Sequence, residues 1–219
     1  MSKCPGNNKD FAKVTAFNGR IPQIRGGSIY LFIKRDFDLT ASVIAILLFL
    51  IPGILLAALI KLESPGPVIY KQDRLGKNGT PFTIFKFRSM YQDAEEYGPQ
   101  WAEIHDKRCT KIGRIIRRYH IDELPQFFNI VCGEMSLVGP RPEREFYYKK
   151  FDAYLPMFKE RLLVKPGLTG LSQVNGCYDL LPEERLAYDL EYMRKRSLWL
   201  DLVCILKTVV VVFNGKGAR

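Results

Sequence analysis

Between Leu39 and Ile60 lie 22 residues without a single charge, LTASVIAILLFLIPGILLAALI. As a straight helix at ~1.5 Å per residue the run would be about 33 Å long, enough to cross a hydrocarbon core of about 30 Å. A plain transmembrane span satisfies that length. Two features favour another geometry. Pro52-Gly53 interrupts the run, and a proline inside a helix removes one intrahelical hydrogen bond and bends the axis. Lys34 and Arg35 flank one end, Lys61 and Lys71 the other, and basic flanks prefer the cytoplasmic face. A helix that enters, bends at Pro52 and returns keeps both flanks on that face, provided the freed carbonyl is shielded.

Residues 1–29 are polar, rich in Gly and Asn, without periodicity, and read as a flexible N-terminal arm. They do not resemble a signal peptide, because their charges are spread out and no apolar core follows directly. The re-entrant segment is placed at 30–62, a cytoplasmic catalytic domain at 63–197, and a C-terminal interfacial helix with its tail at 198–219. The 219 residues carry 33 Lys+Arg against 23 Asp+Glu, a formal charge of +10. That excess points to a polyanionic partner: nucleic acid, anionic lipid or a phosphorylated substrate. Cys4, Cys109, Cys132, Cys177 and Cys204 are scattered and form no C-x-x-C, which argues against a disulfide framework or a zinc site.

Beyond the apolar run, residues 68–74 and 81–88 read as two short strands around the Asn78-Gly79 turn signal. Lys86 and Arg88 share one side of the second strand and could both face an anion, although charged edge residues are also common for their own sake. Residues 91–109 suggest a short helix and a loop. His105 and His120, the two histidines, have no acidic ligand motif between them and do not suggest a metal site. Residues 143–163 suggest a helix interrupted near Pro156, and Lys165-Pro166-Gly167-Leu168-Thr169-Gly170 carries two tight-turn signals. Pro182 opens an amphipathic helix with Leu186, Leu190 and Met193 on one face. Residues 198–213 are apolar but too short to span, and fit either an interfacial helix or a buried core helix.

The chemistry concentrates in residues 110–144, TKIGRIIRRYHIDELPQFFNIVCGEMSLVGPRPER. Its first part repeats Ile112, Ile115, Ile116 and Tyr119 on one helical face, with Lys111, Arg114, Arg117 and Arg118 on other sides. Asp122-Glu123 follows, with Pro125 in what reads as the first turn of a second helix running to about Val131. Two carboxylates at a helix N-terminus, basic residues upstream and the Gly139-Pro140-Arg141-Pro142 loop downstream suit a phosphate-and-metal site. The plainer alternative is that Asp122 only caps the helix.

Five blocks in this order resemble one family: the Pro-interrupted apolar helix, SPGPVIYKQDRLGKNGTPFTIFKFRSM, IDELPQFFNIVCGEMSLVGPRPE, KPGLTGLSQVNG and SLWLDLVCILKTV. The resemblance is to the minimal form of the monotopic phosphoglycosyl transferases, the bacterial sugar transferase family. It implies a helix-rich α+β fold, with a Pro-broken re-entrant helix, a short β-hairpin and interfacial amphipathic helices. It also implies transfer of a phosphosugar from a UDP-sugar to polyprenyl (undecaprenyl) phosphate, with release of UMP. By resemblance, Asp122 is the covalent nucleophile and Glu123 helps to hold Mg²⁺. Lys86, Arg88, Arg117 and Arg141 are then the phosphate-binding wall, since guanidinium groups grip phosphate bidentately. The implied setting is the cytoplasmic face of the bacterial inner membrane, against anionic lipid, without nucleic acid; a homodimer stays open. Ser172 and Cys177 depart from the usual family pattern, which bears on sugar selectivity. A competing expectation is a non-enzymatic, membrane-anchored binder of anionic lipid or nucleic acid, which would need basic residues spread along a groove rather than gathered about one acidic pair.

Overall fold

The computed structural model describes residues 23–96, 98, 106–176 and 180–214. Most of the N-terminal arm, residues 97 and 99–105 with His105, Cys177 and the tail from residue 215 lie outside these. The element order is α1 (Ser28–Glu63), β1 (Ile69–Leu75), β2 (Pro81–Phe87), α2 (Lys111–Arg118), α3 (Gln126–Cys132), β3 (Ser136–Val138), α4 (Glu145–Asp152), β4 (Gly167–Thr169), α5 (Leu171–Asn175), α6 (Pro182–Lys195) and α7 (Leu198–Asn214). The described residues are helix-rich with two small two-stranded sheets, β1 with β2 antiparallel and β3 with β4 parallel.

Helix α1 has 36 residues and runs as one helix through Pro52; at ~1.5 Å per residue it is about 54 Å long. Its apolar middle stays uncovered: Leu47, Leu48, Ile51, Ile54 and Leu55 are all exposed. Both ends are held to the body by charged side chains that meet main-chain groups. Near the start, Arg35 donates to the carbonyls of Ile130 at 2.6 Å and Val131 at 2.8 Å. Those are among the last carbonyls of α3, which have no partner inside their own helix. One turn on, the buried Asp38 accepts from Ser136 Oγ at 2.7 Å and from the Leu137 amide at 3.1 Å. At the far end, Glu63 accepts from the amides of Lys111 at 2.7 Å and Ile112 at 3.2 Å, capping α2 from another helix. Arg88 closes α1 itself, donating to the carbonyls of Ile60, Ser64 and Pro65.

The hairpin forms where the sequence places it, within a residue at each edge. Its turn needs backbone in the left-handed region, and Asn78 (φ 59°) and Gly79 (φ 76°) supply it. Phe82 and Ile84 of β2 join the core with Ile130, Met135, Leu137 and Val138. The expected face of α6 is there as well: Leu186, Leu190 and Met193 are fully buried. Residues 143–163 divide, as expected, into α4 and a 3₁₀ segment over Pro156–Leu163. Helix α7 is buried on one side and exposed on another. Asp201 and Cys204 are buried, whereas Trp199, Leu206, Val210 and Phe213 on another side are exposed.

One expectation needs correction. Lys165–Gly170 does not make two tight turns; its middle is strand β4, paired parallel to β3. Glycine here serves close approach. A side-chain carbon on Gly167 or Gly170 would lie inside the main chain of Gly139, so the two loops touch backbone to backbone. Gly139 N donates to Thr169 O and Gly167 N to Pro140 O, each at 2.9 Å.

Asp38 offers a direct check of the clamp on α1. Asp38→Ala leaves the Leu137 amide buried without its acceptor and the Ser136 hydroxyl with only the longer contact to the Val138 carbonyl at 3.2 Å, a loss of about 2 kcal/mol. Thermal unfolding of detergent-solubilised protein should show a clearly lower midpoint for this variant. Asp36→Ala, at an exposed position two residues away, should leave the midpoint where it is.

Candidate active site

The carboxylate pair lies in a 3₁₀ turn, Ile121–Glu123, between α2 and α3. This corrects the expectation that Asp122 and Glu123 open the second helix: α3 starts at Gln126, after Pro125, and neither carboxylate caps it. The turn is set by His120, which adopts the left-handed region (φ 56°) and reverses the chain after α2. Glu123 N then bonds back to His120 O at 3.1 Å. Neighbouring charged side chains shape the electrostatic environment of the pair.

Those cations arrive from separate elements. Lys86, near the end of β2, donates to Glu123 Oε1 at 2.6 Å. Arg141, from the loop after β3, donates to the same oxygen at 2.6 Å and to Oε2 at 3.4 Å. Among the described residues no side chain donates a hydrogen bond to the Asp122 carboxylate. The consequence is an unequal pair. Burial alone would push Glu123 upward, but Arg141, Lys86 and the Arg141 hydrogen bond outweigh it and hold the carboxyl well below the usual carboxylate range. Burial pushes Asp122 up from its ordinary value, and the charge of Glu123 adds to this; Lys86 and Arg117 only partly offset it.

Lys86, Arg117, Asp122, Glu123 and Arg141 all line one cavity of about 360 Å³. Arg88 lines it too, but its guanidinium is buried against the end of α1 and does not join the group around Glu123. Alternation along the strand puts Lys86 and Arg88 on one side; it does not reveal that a helix end waits beyond Phe87. Sequence reasoning also passed over Glu143, which pairs with Arg185 at 2.5 Å and Arg74 at 3.4 Å on the same cavity wall. Burial would raise its pKa, but Arg185 and Arg74 outweigh that and depress it. Only its place in the PRPE run marked it. Arg74 lies in the hairpin block without being singled out there, Arg185 carries no motif, and the role of both is found only from contacts.

A second cavity of about 510 Å³ adjoins the first and is walled mainly by apolar side chains, among them Phe49 of α1, Leu124, Phe127, and Val211 and Phe213 of α7. His120, Glu123, Arg141, Gln173 and Val211 line both cavities. Glu123 thus stands where a cavity lined by many charged side chains meets an apolar one, with Asp122 on the wall of the first.

A polar and an apolar chamber meeting at an acidic pair is the setting in which the comparisons with known proteins fall. The model of the bacterial sugar transferase family matches residues 29–215. A UDP-N-acetylgalactosamine-undecaprenyl-phosphate N-acetylgalactosaminephosphotransferase of Aeromonas hydrophila is 46% identical over 194 residues, covering 87% of this chain and 46% of the relative. A UDP-glucose:undecaprenyl-phosphate glucose-1-phosphate transferase of Caulobacter vibrioides is 45% identical over 193 residues, covering 84% of this chain and 71% of the relative. The corresponding Escherichia coli transferase is 39% identical over 191 residues, covering 85% and 41%. The chain thus spans less than half the length of the first and third of these. Matched over nearly all its described residues, including every group that lines the carboxylate site, this chain belongs to the bacterial sugar transferase family.

Proposed function

We propose that the protein transfers a phosphosugar from a UDP-sugar to polyprenyl phosphate and releases UMP. The observation that carries this reading is the unequal carboxylate pair at the junction of the two cavities. Lys86 and Arg141 hold Glu123 ionised and oriented; Asp122, which receives no side-chain hydrogen bond among the described residues, is the group that attacks. In the first step an Asp122 oxygen forms a bond to the phosphorus that bears the sugar. The bond from that phosphorus to the bridging oxygen breaks, and UMP leaves with the oxygen and its electron pair. In the second step an oxygen of the lipid phosphate attacks the same phosphorus and releases the Asp122 carboxylate. A carboxylate is a weak nucleophile, so the diphosphate charge has to be neutralised as it attacks. Arg141 and Arg117 are placed on the cavity wall to do so.

Mg²⁺ fits the donor set in one way only. Among the described residues no three His, Cys, Asp or Glu side chains come together, so an all-protein cage is not available. A cation held by one or two carboxylates and completed by substrate phosphates remains suitable. Glu123 would hold it, through the oxygen that takes only the longer Arg141 bond. Bound there, Mg²⁺ supplies further neutralisation of the diphosphate.

The apolar cavity supports a lipid acceptor, and the contacts of α1 support a re-entrant course at the cytoplasmic face. Arg35 and Asp38 near its start, and Glu63 at its end, grip the same folded body. A straight crossing would put those contacts on opposite sides of a bilayer. Pro52, whose missing amide frees the Leu48 carbonyl, marks the deepest point. The exposed face of α7, with Trp199 and Phe213, then lies against the same lipid.

Asp122→Asn should abolish turnover and leave no adduct, since an amide cannot form the acyl phosphate. Glu123→Gln should reduce turnover and be partly recovered by added Mg²⁺. Mass spectrometry of enzyme quenched after mixing with UDP-sugar alone should find a phosphosugar on the Asp122 peptide. Turnover without that adduct, and only with both substrates present, would replace the two-step route by direct transfer.

The charge balance around Asp122 gives a pH test. Asp122 must be ionised to attack, and its raised pKa places the acidic fall in rate above the ordinary carboxylate range, near pH ~4. Lys86 lowers that pKa, so in Lys86→Met the fall should move to higher pH in the kcat profile. A profile with an unchanged acidic limb would separate Lys86 from Asp122.

Topology is read by single cysteines at Gly27 and Lys77 in a cysteine-free background. A membrane-impermeant maleimide should label neither in intact cells and both after lysis. Labelling of Gly27 alone from outside would establish a crossing helix.

A further inference from the structure

Arg161 and Asp189 form an ion pair at 2.7 Å, with side chains 0% and 1% exposed. The transfer steps above make no use of it. A fully buried pair of this kind adds little net stability over apolar residues of the same size, so its connections matter more than its energy. Arg161 Nη2 donates to the main-chain carbonyl of Arg141 at 2.8 Å, and so fixes the loop that carries the Glu123 partner. The second oxygen of Asp189 accepts from Ser172 Oγ at 2.8 Å. Ser172 also stands 3.1 Å from the terminal oxygen of the Gln173 amide. Gln173 lines both cavities, beside Arg141 and Glu123.

These contacts cannot all hold as drawn. A hydroxyl has one proton, and Ser172 cannot donate both to Asp189 and to a carbonyl oxygen of Gln173. The Gln173 nitrogen is meanwhile buried without a partner. Turning the amide over removes the conflict at Ser172 and gives the nitrogen an acceptor, with the amide oxygen then on the side where the nitrogen had none; oxygen and nitrogen of an amide are assigned only from such bonding. The nitrogen then donates to Ser172 Oγ, which donates to Asp189, whose other oxygen accepts from Arg161.

We propose that Ser172, with the buried Asp189–Arg161 pair, is a positioning relay that fixes the Gln173 amide and the Arg141 loop relative to each other at the partition between the cavities. The Ser172 hydroxyl is the link that joins the cavity wall to the buried pair. The relay rests on the transfer reading in one respect, that the polar cavity receives a nucleoside diphosphate.

The experiment measures binding of UDP by calorimetry to the full chain in detergent, for the wild type, Ser172→Ala, Gln173→Ala and the double variant. Ser172→Ala and Gln173→Ala should each raise the Kd about fivefold, and the double variant should be no weaker than Gln173→Ala, because both cut one chain of bonds. Ser172→Thr, which keeps the hydroxyl, should stay within twofold of wild type. Should Ser172→Ala not purify folded, Ser172→Cys, a weak donor of similar size, takes its place with the same expected rise. A Kd within twofold of wild type for the variant lacking the hydroxyl, or a double variant whose loss is the product of the two singles, overturns the relay. Loss of folded protein lowers the number of sites without changing Kd, so a merely structural role of Ser172 is seen as such and also overturns it. UMP release from UDP-N-acetylgalactosamine and UDP-glucose is measured alongside. Wild-type protein that binds UDP but releases no UMP overturns the transfer reading and leaves the relay to the Kd values; no UDP binding overturns both.

Discussion

Charged side chains meeting the ends of other elements hold this molecule together around its long helix. Helix ends leave amides and carbonyls without partners, and ionised groups bond to them more strongly than neutral ones do. Helix α1 uses this at both ends: Arg35 takes the last carbonyls of α3, and Glu63 takes the first amides of α2. Arg88 of the hairpin strand's end in turn closes α1. None of these contacts needs the apolar surface of α1, which is why that surface stays uncovered. The elements gripped this way are those that flank the carboxylate turn. α2 leads into it, α3 leads out of it, and β3, held by Asp38, leads into the Arg141 loop. The site is thereby indexed to the long apolar helix.

Within the site, identical chemistry is made unequal by placement. Asp122 and Glu123 are neighbours in one turn and are buried alike. Two cations from distant segments both reach Glu123 and neither donates to Asp122. One carboxylate becomes a fixed anion that organises its surroundings, and the other keeps its lone pairs available. The same turn lies where the two cavities adjoin: Asp122 lines the first, and Glu123 lines both.

Much of this was legible along the chain, wherever the information is local. The apolar run, the Asn78-Gly79 hairpin and the buried stripe Leu186, Leu190 and Met193 follow from composition, turn chemistry and period. The acidic pair and its basic neighbours Lys86, Arg117 and Arg141 were found as motifs, and the fold brings them to one cavity. Other features depend on a partner far away in sequence. The Gly167–Gly170 segment carries turn signals, but Gly139 approaches it so closely that it becomes a parallel strand. Arg88 has the strand position of a ligand and is claimed instead by the end of α1.

What the sequence by itself determined is therefore most of the elements and which charged groups meet at the site, because hydrophobic period, proline and glycine act over a few residues. What only the tertiary structure decided is which carboxylate is held and which is free, and where the cations are spent. Lys86 and Arg141 lie 37 and 18 residues from Glu123. No local rule tells them to prefer it over Asp122; the packing of β2 and of the Gly139–Arg141 loop against the carboxylate turn does.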